Sequence, residues 1–406
     1  MNDDLESFGF TEEEAQAFAI AQIIERKLAE LSIVLDKKHF AELFDRLKIY
    51  VHENKSELII PASILNLAES SGHQGEITLD LGGMDEERIK AAYYKSTEEL
   101  VAYLQEDQSK QLYKSYSEFK SRVSSRRQRD KAFLRDHQKL WGKTLELLEN
   151  YFLICFELGS EFTNEVAQKL KNNDFLLDAL MRSHARACQI AFEILTLLKG
   201  GFADGAHARW RTLHEISVTI NFLSAHGNDL AERYFLYENI RSYFDAKRHR
   251  EVYKGKGEAP PSDEEFQIIE KRKLELEKRF GKEYSNPNGW AKSVLDDPSF
   301  KAIEQSVNMQ HLRPYYNLAN INIHAGSKGL FFRLGRYPDQ NALLAGPSSH
   351  GLIDPAGGAA LSLGQVTTIL LTSRPSIKRL ASLNALQQLL HDLNKHLESL
   401  LNENTR

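Results

Sequence analysis

Residues 203–226 read ADGAHARWRTLHEISVTINFLSAH, and the spacing of their side chains predicts a single helix. At about 100° per residue, one face of this helix is an ordinary core stripe. The second face mixes titratable with apolar side chains, which is unlike a purely solvated surface. Its members are His207, Arg211, His214, Glu215, Val218 and Phe222. This face is therefore the first place to look for a buried brace or a functional site.

The stretches on either side predict further helices of similar length. These flanking helices are predicted over residues 174–198 and 229–250. Each begins at an aspartate, a good N-cap, as does the central helix when it is counted over residues 204–224, and glycines mark the ends of all three. Short turns between such helices favour antiparallel neighbours. The sequence therefore predicts an all-α fold, with a helical bundle domain over residues 121–406 and an N-terminal helical subdomain over residues 1–120.

Two short segments interrupt the helical pattern. LFFRLG and NALLAG, separated by RYPDQ, predict a small β-hairpin near residues 328–346. EITLDL, within the glycine-punctuated stretch 70–83, alternates like a short strand. The hairpin is expected as an insertion in the bundle, and the second segment as a connection before it.

Composition excludes several classes of protein. The net charge of -5 argues against a wholesale polyanion binder, and two cysteines cannot make a disulfide framework. No signal-peptide pattern and no apolar run of membrane-spanning length is visible, so a cytoplasmic protein without a membrane partner is expected. Phosphate-binding loops, nucleophile elbows, CxxC and HExxH motifs are absent, so we expect neither cofactor nor metal.

Four stretches together resemble a known bacterial family. They are GGFADGAHARWRTLHEISVTINFL, AERYFLYENIRSYFDAKRH, NGWAKSVL and YYNLANINIHAG, from residues 200, 231, 288 and 315 respectively. The chain resembles, over roughly residues 175–350, the family catalogued as domain of unknown function 5677. The matching positions are Arg211, Leu213, Glu215, Arg233, Tyr234, Tyr316 and His324. The family has no settled activity, so the resemblance implies a class without a mechanism.

The cations near this helix are all arginines. No lysine occurs between residues 200 and 246, although the chain has 28 lysines. Guanidinium is preferred over ammonium where a carboxylate or phosphate is held in a planar, buried pair. Arg211 followed by Glu215 is the weaker order for a helix salt pair, so either a buried brace between helices or a functional site is predicted.

Three functions remain open from the sequence. The first is a bacterial stress or phage-defence protein with metal-independent ribonuclease activity of the HEPN type, acting on RNA or a nucleotide. In it, His214 or His324 would move a proton and Arg211 would steady a phosphate, with Glu215 beside them. The binding residues would be Arg233, Tyr237, Arg241 and Tyr316, helped by basic stretches at residues 120–139 and 247–256.

The other two functions are non-enzymatic. In one, a network of Arg211, Glu215 and Arg241 braces a binding or assembly module, whose outer helices contact a partner or a second copy of the chain. In the other, a nucleotide or small-molecule sensor has a pocket lined by Tyr234, Tyr237, Arg241 and Tyr316. Arg–His spacings typical of HEPN ribonucleases occur at Arg46–His52 and Arg209–His214, but a chain with this many arginines and histidines produces such spacings by chance.

Overall fold

A computed structural model gives the fold of the chain. It describes residues 11–53, 58, 60–72, 102, 105–106, 108–166, 168, 173–253, 255, 257, 259–336 and 343–404. Within these ranges the regular elements are helices and no strand occurs, which confirms the all-α prediction. The Cα positions divide the chain into two compact units, residues 1–127 and 128–406.

The first unit includes the helices α1 (Glu12–Glu30), α2 (Lys37–His52) and α3 (Ala62–Ser70), and residues 108–117 are helical as well. Helix α1 begins at a reciprocal cap, in which Thr11 accepts from the Glu14 N–H and Glu14 accepts from the Thr11 N–H. Phe18 on α1 meets Phe40 and Phe44 of α2 edge-on, with ring centroids 5.4 Å apart in both pairs. These rings form the centre of a small separate core.

The second unit contains the long bundle helices. They are α4 (Phe119–Val166), α5 (Phe175–Lys199), α6 (Ala203–His226), α7 (Asn228–Val252), α8 (Asp263–Phe280), α9 (Phe300–Ser306), α10 (Arg313–Asn320), α11 (Lys328–Phe331), α12 (Ile353–Thr372) and α13 (Ile377–Asn404). Short 3-10 turns lie between α8 and α10, at Lys282–Ser285, Gly289–Ala291 and Gln310–Leu312. Helix α4 begins before residue 128, and its buried residues, from His137 onward, belong to the second unit.

Helix α6 lies at the centre of this unit, because neighbours cover it on several sides. It packs against α5, α12, α7, α9 and α10. Trp210 and Leu213 on one face, and His214 and Val218 on the other, are all at most 1% exposed. The mixed second face is therefore a second buried face, and its polar groups meet α9 and α10.

The predicted hairpin near 328–346 is wrong. Residues 328–331 form a helical turn, whose Leu330 and Phe331 are about three-quarters exposed, and residues 343–346 have no regular structure. The N–H groups of Leu334 and Gly335 donate to the Asp204 carboxylate at the start of α6 rather than to a strand. Residues 337–342 and the EITLDL segment predicted as a strand lie outside the described residues.

Among the helices so described, none is both long and apolar enough to cross a membrane.

Candidate functional site

The polar core of the second unit is built around His214 of α6 and Glu304 of α9. His214 Nε2 lies 2.8 Å from Glu304 Oε1, and both side chains are fully buried. An ionised carboxylate can only accept, so His214 Nε2 carries the proton in this pair. Nδ1 is then the unprotonated nitrogen, and it is buried without a hydrogen-bond partner in the described part of the chain.

Arg313, at the start of α10, places a second charge on the same carboxylate. Its guanidinium pairs with Glu304 Oε2, and its side chain is 21% exposed. The guanidinium also lies over two aromatic rings, 5.4 Å from the centroid of Phe300 and 5.0 Å from that of Tyr316. Pairing and ring contacts together compensate for part of the free energy lost in desolvating the cation.

Arg211 and Glu215 of α6 form the outer layer of this arrangement. Arg211 Nη2 lies 3.1 Å from Glu215 Oε1, and the Tyr316 hydroxyl donates to that same oxygen across 2.6 Å. The Arg211 guanidinium also lies over the Tyr316 ring, 4.9 Å from its centroid. The two charged side chains are 24% and 36% exposed, so this layer reaches the surface only in part. We call Arg211, His214, Glu215, Glu304, Arg313 and Tyr316 the α6 polar cluster.

The pKa values of His214 and Tyr316 are both shifted towards the uncharged form. Burial lowers the pKa of His214, against the opposing effect of the Glu304 hydrogen bond and charge. Burial and the bond to Glu215 raise the pKa of Tyr316 to about 12. At neutral pH the His214 imidazole and the Tyr316 phenol are therefore both uncharged.

Trp210 and His207, two further buried side chains of α6, lie next to the α6 polar cluster. Trp210 lies between two imidazoles, with ring centroids 5.3 Å from His207 and 5.4 Å from His214. The Trp210 indole N–H donates to Ser362 of α12, whereas both ring nitrogens of His207 have no partner among the described residues. Burial lowers the pKa of His207 to about 4, so this imidazole is neutral too.

The predicted binding residues of α7 lie in a different place. Arg233 Nε donates to the Trp290 carbonyl, and its guanidinium lies 4.5 Å from the Phe280 ring centroid. The Tyr237 hydroxyl donates to the Asn286 carbonyl. These bonds tie α7 to the loop after α8, and Tyr316 is not among their partners. Arg241 is exposed and makes no ion pair or hydrogen bond with any described residue.

His324 lies in the turn after α10, and its side chain is exposed. Within the described ranges no hydrogen bond, ion pair or ring contact joins it to Arg211, Glu215 or Tyr316. Of the eight predicted site residues, the structure brings together Arg211, His214, Glu215 and Tyr316. The α7 residues form a second group, and His324 stands apart.

Glu304 and Arg313 are central to the cluster, and neither was predicted from the sequence. Glu304 lies in a short helix, next to the buried Ile303, and Arg313 directly precedes Pro314 at the start of α10. Neither belongs to a periodic pattern. The surrounding stretch, IEQSVNM, mixes polar with apolar residues, so nothing in it indicated that Glu304 would be buried and would need a partner.

The arrangement is poorly suited to hold a metal. In the part of the chain that the structure describes, no group of three or more His, Cys, Asp or Glu side chains is positioned around a common centre. His207 and His214 are instead kept apart by the intervening Trp210 ring. The cluster is chemically an internal ion-pair and aromatic network.

Comparison with known proteins agrees with the resemblance seen in the sequence. Residues 177–341 match the model of a family of unknown function, DUF5677. The matched region contains every member of the α6 polar cluster and the α7 residues as well. No curated protein and no solved structure matches the chain. Over residues 177–341 the chain is therefore similar to the DUF5677 family, whose function is unknown.

Proposed function

We propose that the second unit is a non-enzymatic binding or assembly module, in which the α6 polar cluster braces three helices. The observation that carries the proposal is the fully buried pair of His214 and Glu304. A general acid or base must reach a proton on its substrate, directly or through one water. His214 has one nitrogen engaged by Glu304 and the other buried, so it offers neither to a ligand.

The charges within the cluster support the same reading. Glu304 neutralises Arg313, and Glu215 neutralises Arg211, so no guanidinium is left over for a phosphate. A ribonuclease site would instead leave a cation free to steady the charge that develops on phosphorus. Three helices are joined by these contacts, since α6 supplies His214, α9 supplies Glu304 and α10 supplies Arg313.

A HEPN-like ribonuclease in stress or phage defence is the competing expectation. It would need the exposed His324 to approach Arg211, or the outer layer to open and release Glu215. The contacts of Tyr316 with both Arg211 and Glu215 oppose such an opening. We also propose that the protein acts in the reducing cytoplasm, which its two free, buried cysteines support. Contact of the outer helices with a second copy of the chain is a further part of the proposal.

The test combines RNA cleavage with thermal unfolding. Purified protein is incubated with total RNA, alongside the variants His214→Ala, His324→Ala and Arg211→Ala, and each melting temperature is measured. We expect intact RNA in every sample. We also expect Arg211→Ala to lower the free energy of unfolding by about 1 to 3 kcal/mol, because Glu215 loses its cation in a half-buried setting.

Arg241→Ala is the matched control, because Arg241 is exposed and has no bonding partner among the described residues. It should melt within about a degree of the wild type, since surface changes of this kind have little effect. RNA cleavage that disappears in His214→Ala or His324→Ala would overturn the proposal. An Arg211→Ala variant that is as stable as the wild type would show that the α6 polar cluster does not brace the helices.

A further inference from the structure

Helices α4, α6, α12 and α13 leave between them a cleft of about 430 Å³, a volume typical of small-molecule sites. It lies away from the α6 polar cluster, and most of its lining is outside the region matched by the family model. Six side chains supply its polar groups: Tyr151, Asn221, Gln365, Thr368, Asn384 and Gln387. The remaining lining is glycine, leucine and isoleucine.

The cleft is uncharged. Among the described residues that line it there is no Asp, Glu, Lys, Arg or His, although these types make up a large share of the chain. A charged ligand buried here would lose hydration without gaining a counter-ion, which is costly. The lining therefore selects for a neutral ligand.

The polar groups are mainly amides, and the known bonds leave several of them unused. Gln365 Oε1 accepts from the Ser217 hydroxyl, so the Gln365 NH₂ group remains as a donor. Asn221 donates to the Met309 sulfur, so its carbonyl oxygen remains as an acceptor. Asn384 and Gln387 are exposed on α13, and neither makes a hydrogen bond within the described ranges. Donors and acceptors are thus offered from both sides of the cleft.

The floor of the cleft depends on a glycine. A Cβ atom added at Gly364 would lie 2.3 Å from the Tyr151 hydroxyl oxygen, so only glycine lets Tyr151 approach α12 this closely. Leu361 and Ile369 on α12, with Leu383 on α13, supply aliphatic surface beside the amides. Such surface suits the face of a flat ring, while the amides meet its edge.

We propose that this cleft binds a neutral, planar heterocycle with amide-like edges, namely a nucleobase or its nucleoside. Asn and Gln side chains pair with the edge of adenine through a donor and an acceptor at once, and they pair with other bases in related ways. Free sugars fit less well, because Tyr151 is the only aromatic residue among the described lining residues, and it is buried. The inference rests on the proposed function in one respect, that the ligand is bound and not transformed.

Binding is measured by calorimetry on the full chain, with adenosine, guanosine, cytidine and uridine as separate probes. We expect at least one nucleoside to bind, and Gln387→Leu and Asn384→Leu each to weaken that binding by tenfold or more. Gln388→Leu is the matched control, because Gln388 is the exposed neighbour that does not line the cleft. It should bind within twofold of the wild type.

A comparison of adenosine with adenosine monophosphate checks the charge argument. The phosphate should not strengthen binding, since no cation lines the cleft. Failure of all four nucleosides to bind, or equal binding by Gln387→Leu and the wild type, would overturn the inference, as would tenfold tighter binding of the monophosphate. Chromatography of the recovered nucleoside keeps the two proposals separate, because conversion to a product would contradict the non-enzymatic module while leaving the cleft as the binding site.

Discussion

Both ring nitrogens of His207 are buried without a partner in the part of the chain that the structure describes, although the ring stacks on Trp210. A buried polar group left unpaired costs stability, by about 1 to 3 kcal/mol. We therefore expect His207→Phe, which keeps the stacking, to be as stable as the wild type at pH 7 or more stable by about 1 kcal/mol. Chemical denaturation at pH 7 measures this. A loss above about 1 kcal/mol would show that the imidazole has an essential partner.

The low pKa of His207 also predicts how the stability of the chain depends on pH. The pKa of His207 is about 4 in the folded chain, below its ordinary value of 6.5. Well above pH 6.5 the imidazole is neutral in both states, so its low pKa in the folded chain costs no stability there. As the pH falls from 6.5 towards 4, the unfolded chain binds the proton first, and stability is lost.

For His207 this loss is about 2 kcal/mol between pH 7 and pH 5. Denaturation curves at the two pH values should show a smaller loss for His207→Phe than for the wild type. His184 has a similarly low pKa, so part of the loss should persist. His324→Gln is the control: it changes an exposed imidazole and should show the wild-type loss. Equal losses in His207→Phe and the wild type would contradict the assignment.

At the scale of the helices, close approach depends on small residues. A Cβ atom at Gly159 of α4 would lie 2.0 Å from the His184 ring of α5, and both residues are buried. We expect Gly159→Ala to lower the free energy of unfolding by about 1 to 3 kcal/mol through overpacking. Gly205 is exposed in the first turn of α6. A Cβ atom added there would lie 3.6 Å from its nearest neighbour, a methyl carbon of Leu197.

Gly205→Ala is therefore the matched substitution, and it should stabilise the chain by up to about 1 kcal/mol through helix propensity. Thermal unfolding of the two variants gives the comparison. Equal and small effects would mean that α4 and α5 are not packed as closely as described.

Helices could be predicted from the sequence far better than the contacts between them. The helix predicted over residues 203–226 is observed as Ala203–His226, because a long periodic pattern and glycine ends act locally. The hairpin prediction was wrong because the alternation in LFFRLG has no sheet to join, and Asp204 binds that backbone instead. That contact spans more than a hundred residues, so no local pattern contains it.

In the candidate site, too, the residues within one helix were predicted better than the contacts between helices. Arg211 and Glu215 were recognised because they share one face of a predicted helix, and Tyr316 through the family resemblance. Glu304 reaches His214 across 90 residues of chain, and short helices such as α9 carry little periodic signal. The grouping of Tyr237 and Arg241 with Tyr316 failed because shared chemistry does not place residues together.

For the whole molecule, the division into two units leads to a prediction about a fragment. The two large apolar clusters of the second unit draw all their buried residues from between Trp141 and Leu400. We expect residues 119–406, which keep α4 intact, to form a helical protein with one cooperative thermal transition. Circular dichroism during heating tests this. A fragment that melts without cooperativity would show that the first unit is needed to complete the core.

The central claim is that the α6 polar cluster is a brace, and the free energy of unfolding of Glu304→Gln tests it most directly. The change keeps the shape of the side chain but leaves Arg313 without its counter-charge. We predict a loss of about 3 kcal/mol, because an unpaired charge in a buried setting is costly. Glu157→Gln, an exposed change on α4, should stay within about 0.5 kcal/mol of the wild type. An unchanged or higher stability for Glu304→Gln, the pattern expected when a strained catalytic group is removed, would contradict the brace.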